Sequence, residues 1–151
     1  YAQEWVSRFG FDADKHPAYL PMALGSGSAT AMQMAVAYSV FANGGYRMTP
    51  FLITRVTDHR GKVLLESTPT EPSEANRVID ARNAFIMGSM LNEVAKTGTA
   101  AKAQAQLKRP DIYGKTGTTN DSLDAWFVGY QPTLAAAVWM GYDNPRSLGV
   151  R

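Results

Sequence analysis

Three β-prone runs, Ile112 to Thr118, Asp124 to Tyr130 and Leu134 to Tyr142, follow one another with only short links between them. A parallel pairing would need a crossover of about a dozen residues or more, so these links make consecutive strands antiparallel neighbours. Gln131-Pro132-Thr133 closes the second of the two turns. With helical patterns upstream, the run predicts an α+β fold, an antiparallel sheet flanked by helices.

The rest of the chain divides around that sheet. Trp5, Val6 and Phe9 are spaced as the end of a helix through Tyr1 to Phe11. Thr30 with Gln33 is a capping-box pattern opening a helix through Met32, Val36, Tyr38 and Phe41, which Asn43-Gly44-Gly45 stops. Phe51 to Thr57 and Lys62 to Glu66 read as a hairpin around Asp58-His59-Arg60-Gly61. Asp80 is placed to cap a helix reaching Lys96, with Phe85, Met87, Met90, Leu91 and Val94 as its buried stripe. A short surface helix then runs to Lys108, and Trp126 and Trp139 are expected beneath the sheet. The resulting division is 1–67 for the helices and hairpin, 68–76 for an exposed linker, 77–109 for a helical region and 110–143 for the three strands.

Composition excludes several classes. The formal charge of +2 is small and the basic residues are scattered among acids, which leaves no nucleic-acid footprint. There is no cysteine, hence no disulfide framework or thiolate metal site. His16 and His59 are far apart without companion ligands, so neither a metal nor a cofactor is called for. No stretch approaches the roughly 18 consecutive apolar residues of a membrane span.

The first strand of the sheet carries the candidate chemistry, Lys115-Thr116-Gly117-Thr118-Thr119. A regular strand points Lys115, Gly117 and Thr119 to one face and Thr116 and Thr118 to the other. Gly117 lacks a side chain, so an extended ligand can approach the backbone and pair with it as an added strand. Lys115 can hold anionic character nearby. The Thr116 and Thr118 hydroxyls can bind a terminal carboxylate if the strand twists or bulges towards it. A free N–H at Thr119 would supply half of an oxyanion hole. A bare Lys-Thr-Gly triplet is weak evidence, because an exposed strand edge has the same composition. Indeed Lys96-Thr97-Gly98-Thr99 repeats it, and there the preceding helical pattern assigns Lys96 to a last turn and Gly98 to a left-handed stop. A phosphate-binding loop is excluded, since Arg109 stands where its first glycine is required.

Wider context raises the weight of the Lys115-Thr116-Gly117 triplet. Phe9-Gly10-Phe11-Asp12, Ala23-Leu24-Gly25-Ser26-Gly27, Phe41-Ala42-Asn43-Gly44-Gly45-Tyr46, Gly114 to Asp121, Asp124 to Tyr130 and Val138 to Asp143 occur in one order along nearly the whole chain. Together they resemble the C-terminal part of the transpeptidase domain of class A, bifunctional penicillin-binding proteins of the Gram-negative type. The resemblance implies a serine-type DD-transpeptidase that cross-links peptidoglycan stem peptides and is acylated by β-lactams. It implies catalytic roles for Lys115 and for the Thr119 amide, and substrate binding by Thr116, Gly117 and Thr118. The family's Ser-x-x-Lys and Ser-x-Asn motifs are absent from these 151 residues. The nucleophile is therefore expected on a missing N-terminal half, this chain being one piece of a larger polypeptide and inactive alone. The resemblance also implies a periplasmic location at the inner membrane. A non-catalytic β-lactam or peptidoglycan sensor stands as the alternative, which only the upstream sequence would decide.

Overall fold

The computed structural model describes residues 1–149. Strands β3 (Tyr113–Thr118), β4 (Asp124–Gln131) and β5 (Leu134–Gly141) form an antiparallel sheet in the order β3-β4-β5, as the short links require. The ladder is regular, from Tyr113 opposite Tyr130 to Thr118 opposite Ala125, and from Asp124 opposite Gly141 to Gln131 opposite Leu134.

Helices cover one face of the sheet. Helix α2 (Ala31–Ala42) lies against β4 and β5, and α3 (Ala81–Thr97) against β3. Val128 and Tyr130 are buried on this side, whereas Leu134, Val138 and Met140 on the other side stay exposed. Tyr113 and Tyr130 stack with ring centroids 5.0 Å apart, directly under α3. A Cβ at Gly88 would sit 3.0 Å from the Tyr130 hydroxyl, so only a helix with small residues on its inner side can close over the two rings. The buried stripe of α3 is accordingly Ala84, Gly88, Leu91 and Ala95. This corrects the stripe expected from apolarity, because Phe85 and Met90 face outwards, 76% and 51% exposed. A second cluster of Phe9, Ala37, Val40, Val78, Ile79 and Ala84 ties Phe9, just after the N-terminal helix α1 (Ala2–Ser7), to α2 and α3.

Local signals place the elements. The Thr30 side chain accepts from the Gln33 amide while Gln33 returns the bond, and Asp80 accepts from the Arg82 amide at the head of α3. Strands β1 (Arg55–Thr57) and β2 (Val63–Glu66) pair antiparallel. Asp58 accepts from the Arg60 and Lys62 amides and so forms their turn. Within the exposed connection, Glu74–Asn76 makes one 3-10 turn.

Helix α3 ends at Gly98, as expected, but Gly98 is extended and not left-handed. Its glycine is required for a different reason, since a Cβ there would lie 2.9 Å from the Val94 carbonyl oxygen. A surface helix, α4 (Ala101–Leu107), follows and stops at Lys108 in the left-handed region. Among the described residues no helix is long and apolar enough to cross a membrane.

Candidate active site

The Lys-Thr-Gly segment is the outer strand of the sheet, so one side of its backbone pairs with β4 and the other is an open edge. Which amides face which side follows from the turn. The Thr119 N–H donates to the Asp124 carbonyl at 3.4 Å, which makes Thr119 and Asp124 a hydrogen-bonded pair. Hydrogen-bonded and non-hydrogen-bonded pairs alternate along an antiparallel ladder, so Lys115 and Gly117 also turn their backbone groups to β4. Thr116 and Thr118 turn theirs to the open edge. The expectation of a free N–H at Thr119 is thereby corrected, and the edge donors are Thr116 and Thr118.

Thr119 has a different task. Its hydroxyl accepts from the Leu123 and Asp124 amides at 2.9 and 3.1 Å, and its carbonyl accepts from the Ser122 amide at 2.9 Å. Ser122 completes this turn in the left-handed region, φ 52°. The residue fixes where β3 ends and therefore the phase of its amides.

The side chains divide as a regular strand requires. Lys115 and Gly117 share the face of Trp126 and Trp139, and Thr116 and Thr118 lie on the opposite face. The Lys115 ammonium nevertheless folds over the edge, donating to the Thr116 carbonyl at 2.7 Å and approaching Thr99 Oγ1 at 3.4 Å. Thr116 Oγ1 lies 2.8 Å from the same Thr99 oxygen. Thr99 lies off the strand edge, in the turn between α3 and α4, which is why groups from both faces reach it. Sequence reasoning overlooked Thr99. The signal for it is the repeated triplet itself, which the helical pattern before it assigns to a helix end.

Asp124 holds the neighbouring part of the sheet together. Its Oδ2 accepts from the indole N–H of Trp126 at 3.1 Å and of Trp139 at 3.2 Å. Trp126 is half-buried, but Trp139 is 42% exposed, so of the two indoles expected beneath the sheet Trp139 is not covered. Gly117, opposite Trp126, leaves room, since a Cβ there would meet nothing nearer than Trp126 Cβ at 3.5 Å. Among the described residues no group of three or more His, Cys, Asp or Glu side chains could hold a metal ion.

Residues 2–146 match the profile of the penicillin binding protein transpeptidase domain. The chain belongs to this family. It is 48% identical over 150 residues to penicillin-binding protein 1A of Neisseria flavescens, covering 99% of this chain and 19% of that relative. The crystal structure of penicillin-binding protein 1A from Haemophilus influenzae superimposes with a TM-score of 0.89 at 33% identity, over 97% of this chain and 27% of that one. PonA1 from Mycobacterium tuberculosis in complex with penicillin V gives a TM-score of 0.67 at 27% identity, over 89% of this chain and 36% of that one. The chain thus spans about a fifth of the length of the curated relatives it matches. Its α+β architecture is that of the transpeptidase family, with β3 as an outer strand.

Proposed function

We propose that this chain supplies the substrate-binding edge strand of a peptidoglycan DD-transpeptidase, one part of a domain whose nucleophile lies on other residues of the same polypeptide. The observation that carries the reading is the open edge of β3, to which the Thr116 and Thr118 backbone groups turn and where the Lys115 ammonium meets the Thr116 carbonyl beside the Thr116 and Thr99 hydroxyls. An extended stem peptide can add to such an edge as a further strand, its terminal carboxylate taken by the Thr116 and Thr118 hydroxyls. The backbone donor for the oxyanion is Thr118, because the Thr119 amide is directed into the sheet. Lys115 contributes positive potential beside the attacked carbonyl.

In the reaction a serine oxygen attacks the D-Ala-D-Ala carbonyl, the C–N bond breaks and D-Ala leaves with a proton. An amine of a neighbouring stem peptide then takes the acyl group, forming a new amide and restoring the serine hydroxyl. A β-lactam ring amide enters the first step and stays on the serine. The location that follows is the periplasmic face of the inner membrane, within cell-wall synthesis.

The test is covalent labelling of the complete polypeptide by a fluorescent penicillin. Labelling that survives denaturing electrophoresis and falls with Lys115→Ala supports the reading. Reversible binding without a covalent adduct would favour a sensor module, and no binding at all would remove both.

A further inference from the structure

The proposed site uses Lys115 and Thr116 but leaves Thr99 without a role, although its hydroxyl meets both. We infer that Thr99 is a positioning residue that sets the direction of hydrogen bonding at the carboxylate subsite, so that Thr116 presents its proton outwards. The inference rests on the reading of β3 as the substrate edge.

The argument follows the protons. The Lys115 ammonium has donors only, and a substrate carboxylate is an acceptor only. Between them lie two hydroxyls, with Lys115 Nζ 3.4 Å from Thr99 Oγ1 and Thr99 Oγ1 2.8 Å from Thr116 Oγ1. With a carboxylate at Thr116, one arrangement lets each hydroxyl both accept and donate: Lys115 donates to Thr99, Thr99 to Thr116, and Thr116 to the carboxylate, so the bond that otherwise runs from Thr116 to Thr99 is reversed. Each bond polarises the next, so the ammonium strengthens Thr116 as a donor without touching the anion. Left unreversed, the middle bond would spend the Thr116 proton on Thr99 and present lone pairs to an incoming anion.

The backbone holds Thr99 at this point. Gly98 packs on the last turn of α3, in space a Cβ could not share with the Val94 carbonyl oxygen. The Ala101 amide donates to the Gly98 carbonyl at 3.1 Å, and Ala100, 2% exposed with φ −100° and ψ 7°, occupies the third position of a type I turn. Thr99 is the second residue of that turn, anchored on both sides and extending its hydroxyl to β3.

The experiment uses the complete polypeptide and compares acylation by benzylpenicillin with acylation by its methyl ester, in which the carboxylate charge is gone. For Thr99→Val the ratio of the two rates should fall about tenfold from that of the unaltered protein, the scale of one charge-assisted hydrogen bond. Thr99→Ser, which keeps the hydroxyl, should restore it. An unchanged ratio in Thr99→Val overturns the inference, even if both rates drop together. Failure of Thr99→Ser to recover also overturns it, because the threonine would then act through its methyl packing. If the unaltered polypeptide takes up no penicillin, the edge-strand reading has failed first, and Thr99 with it.

Discussion

Gly117 and Gly114 lie three positions apart on the same strand, yet substitution should separate fold from function between them. A Cβ on Gly117 meets nothing closer than Trp126 Cβ at 3.5 Å, an ordinary contact, and Gly117 is not among the glycines at positive φ. Gly117→Ala should therefore leave stability unchanged or raise it by up to about 1 kcal/mol, by restricting the unfolded chain. A Cβ on Gly114 would lie 2.8 Å from Phe127 Cζ, 2.9 Å from the Val128 carbonyl oxygen and 3.1 Å from Gly129 Cα. Two of these three are backbone atoms that cannot swing aside, so Gly114→Ala should cost about 1–3 kcal/mol. Function should rank the other way. Gly117→Val places a branched side chain on the approach to β3 and should abolish most penicillin acylation in a protein that still melts normally. The assays are thermal melting and stopped-time fluorescent penicillin labelling of the complete polypeptide. Gly117→Ala melting as low as Gly114→Ala would refute the packing argument. Gly117→Val labelling at the unaltered rate would refute the approach along the strand.

Lys115→Ala should lower the acylation rate by about 100-fold while moving the melting midpoint little, because an exposed lysine contributes little to folding; equal losses in both would mark the lysine as structural. Asp124→Ala strips the acceptor from two indole N–H groups and should destabilise by about 2–3 kcal/mol, read by denaturant unfolding, with Asp124→Asn milder because its carbonyl oxygen still accepts. Burial, with smaller contributions from Tyr113 and Tyr38, pushes the Tyr130 hydroxyl up to about 12 from an ordinary 10.0. The neutral phenol is thus favoured in the folded state, so its contribution is complete below pH 10 and is lost as pH rises from about 10 to 12. Tyr130→Phe should flatten that alkaline decline in stability, and an unchanged decline would assign it to other groups.

What the sequence revealed and what it concealed have separate physical causes. The sheet was legible because two short links leave antiparallel pairing as the available connection, and Thr30, Asp80 and Asp58 each satisfy nearby backbone amides in ways that depend on neighbours in sequence. The inner side of α3 was not legible. Apolarity pointed to Phe85 and Met90, but the stacked Tyr113 and Tyr130 rings occupy the space beneath the helix at Gly88, and Ala84 packs into the cluster of Phe9, Val40 and Ile79. The phase of the β3 amides was hidden as well, since it depends on Thr119 pairing with Asp124 across a turn whose geometry no motif encodes. Thr99 was missed because its significance is a meeting between a helix end and a strand distant from it in sequence.

The most direct test of the edge-strand account is a crystal structure of the complete polypeptide acylated by a penicillin. The account predicts the antibiotic carboxylate at about 2.6–3.0 Å from the Thr116 and Thr118 hydroxyls, with the former lactam carbonyl oxygen accepting from the Thr118 amide. A carboxylate bound elsewhere, with the outer edge of β3 left unoccupied, would contradict it.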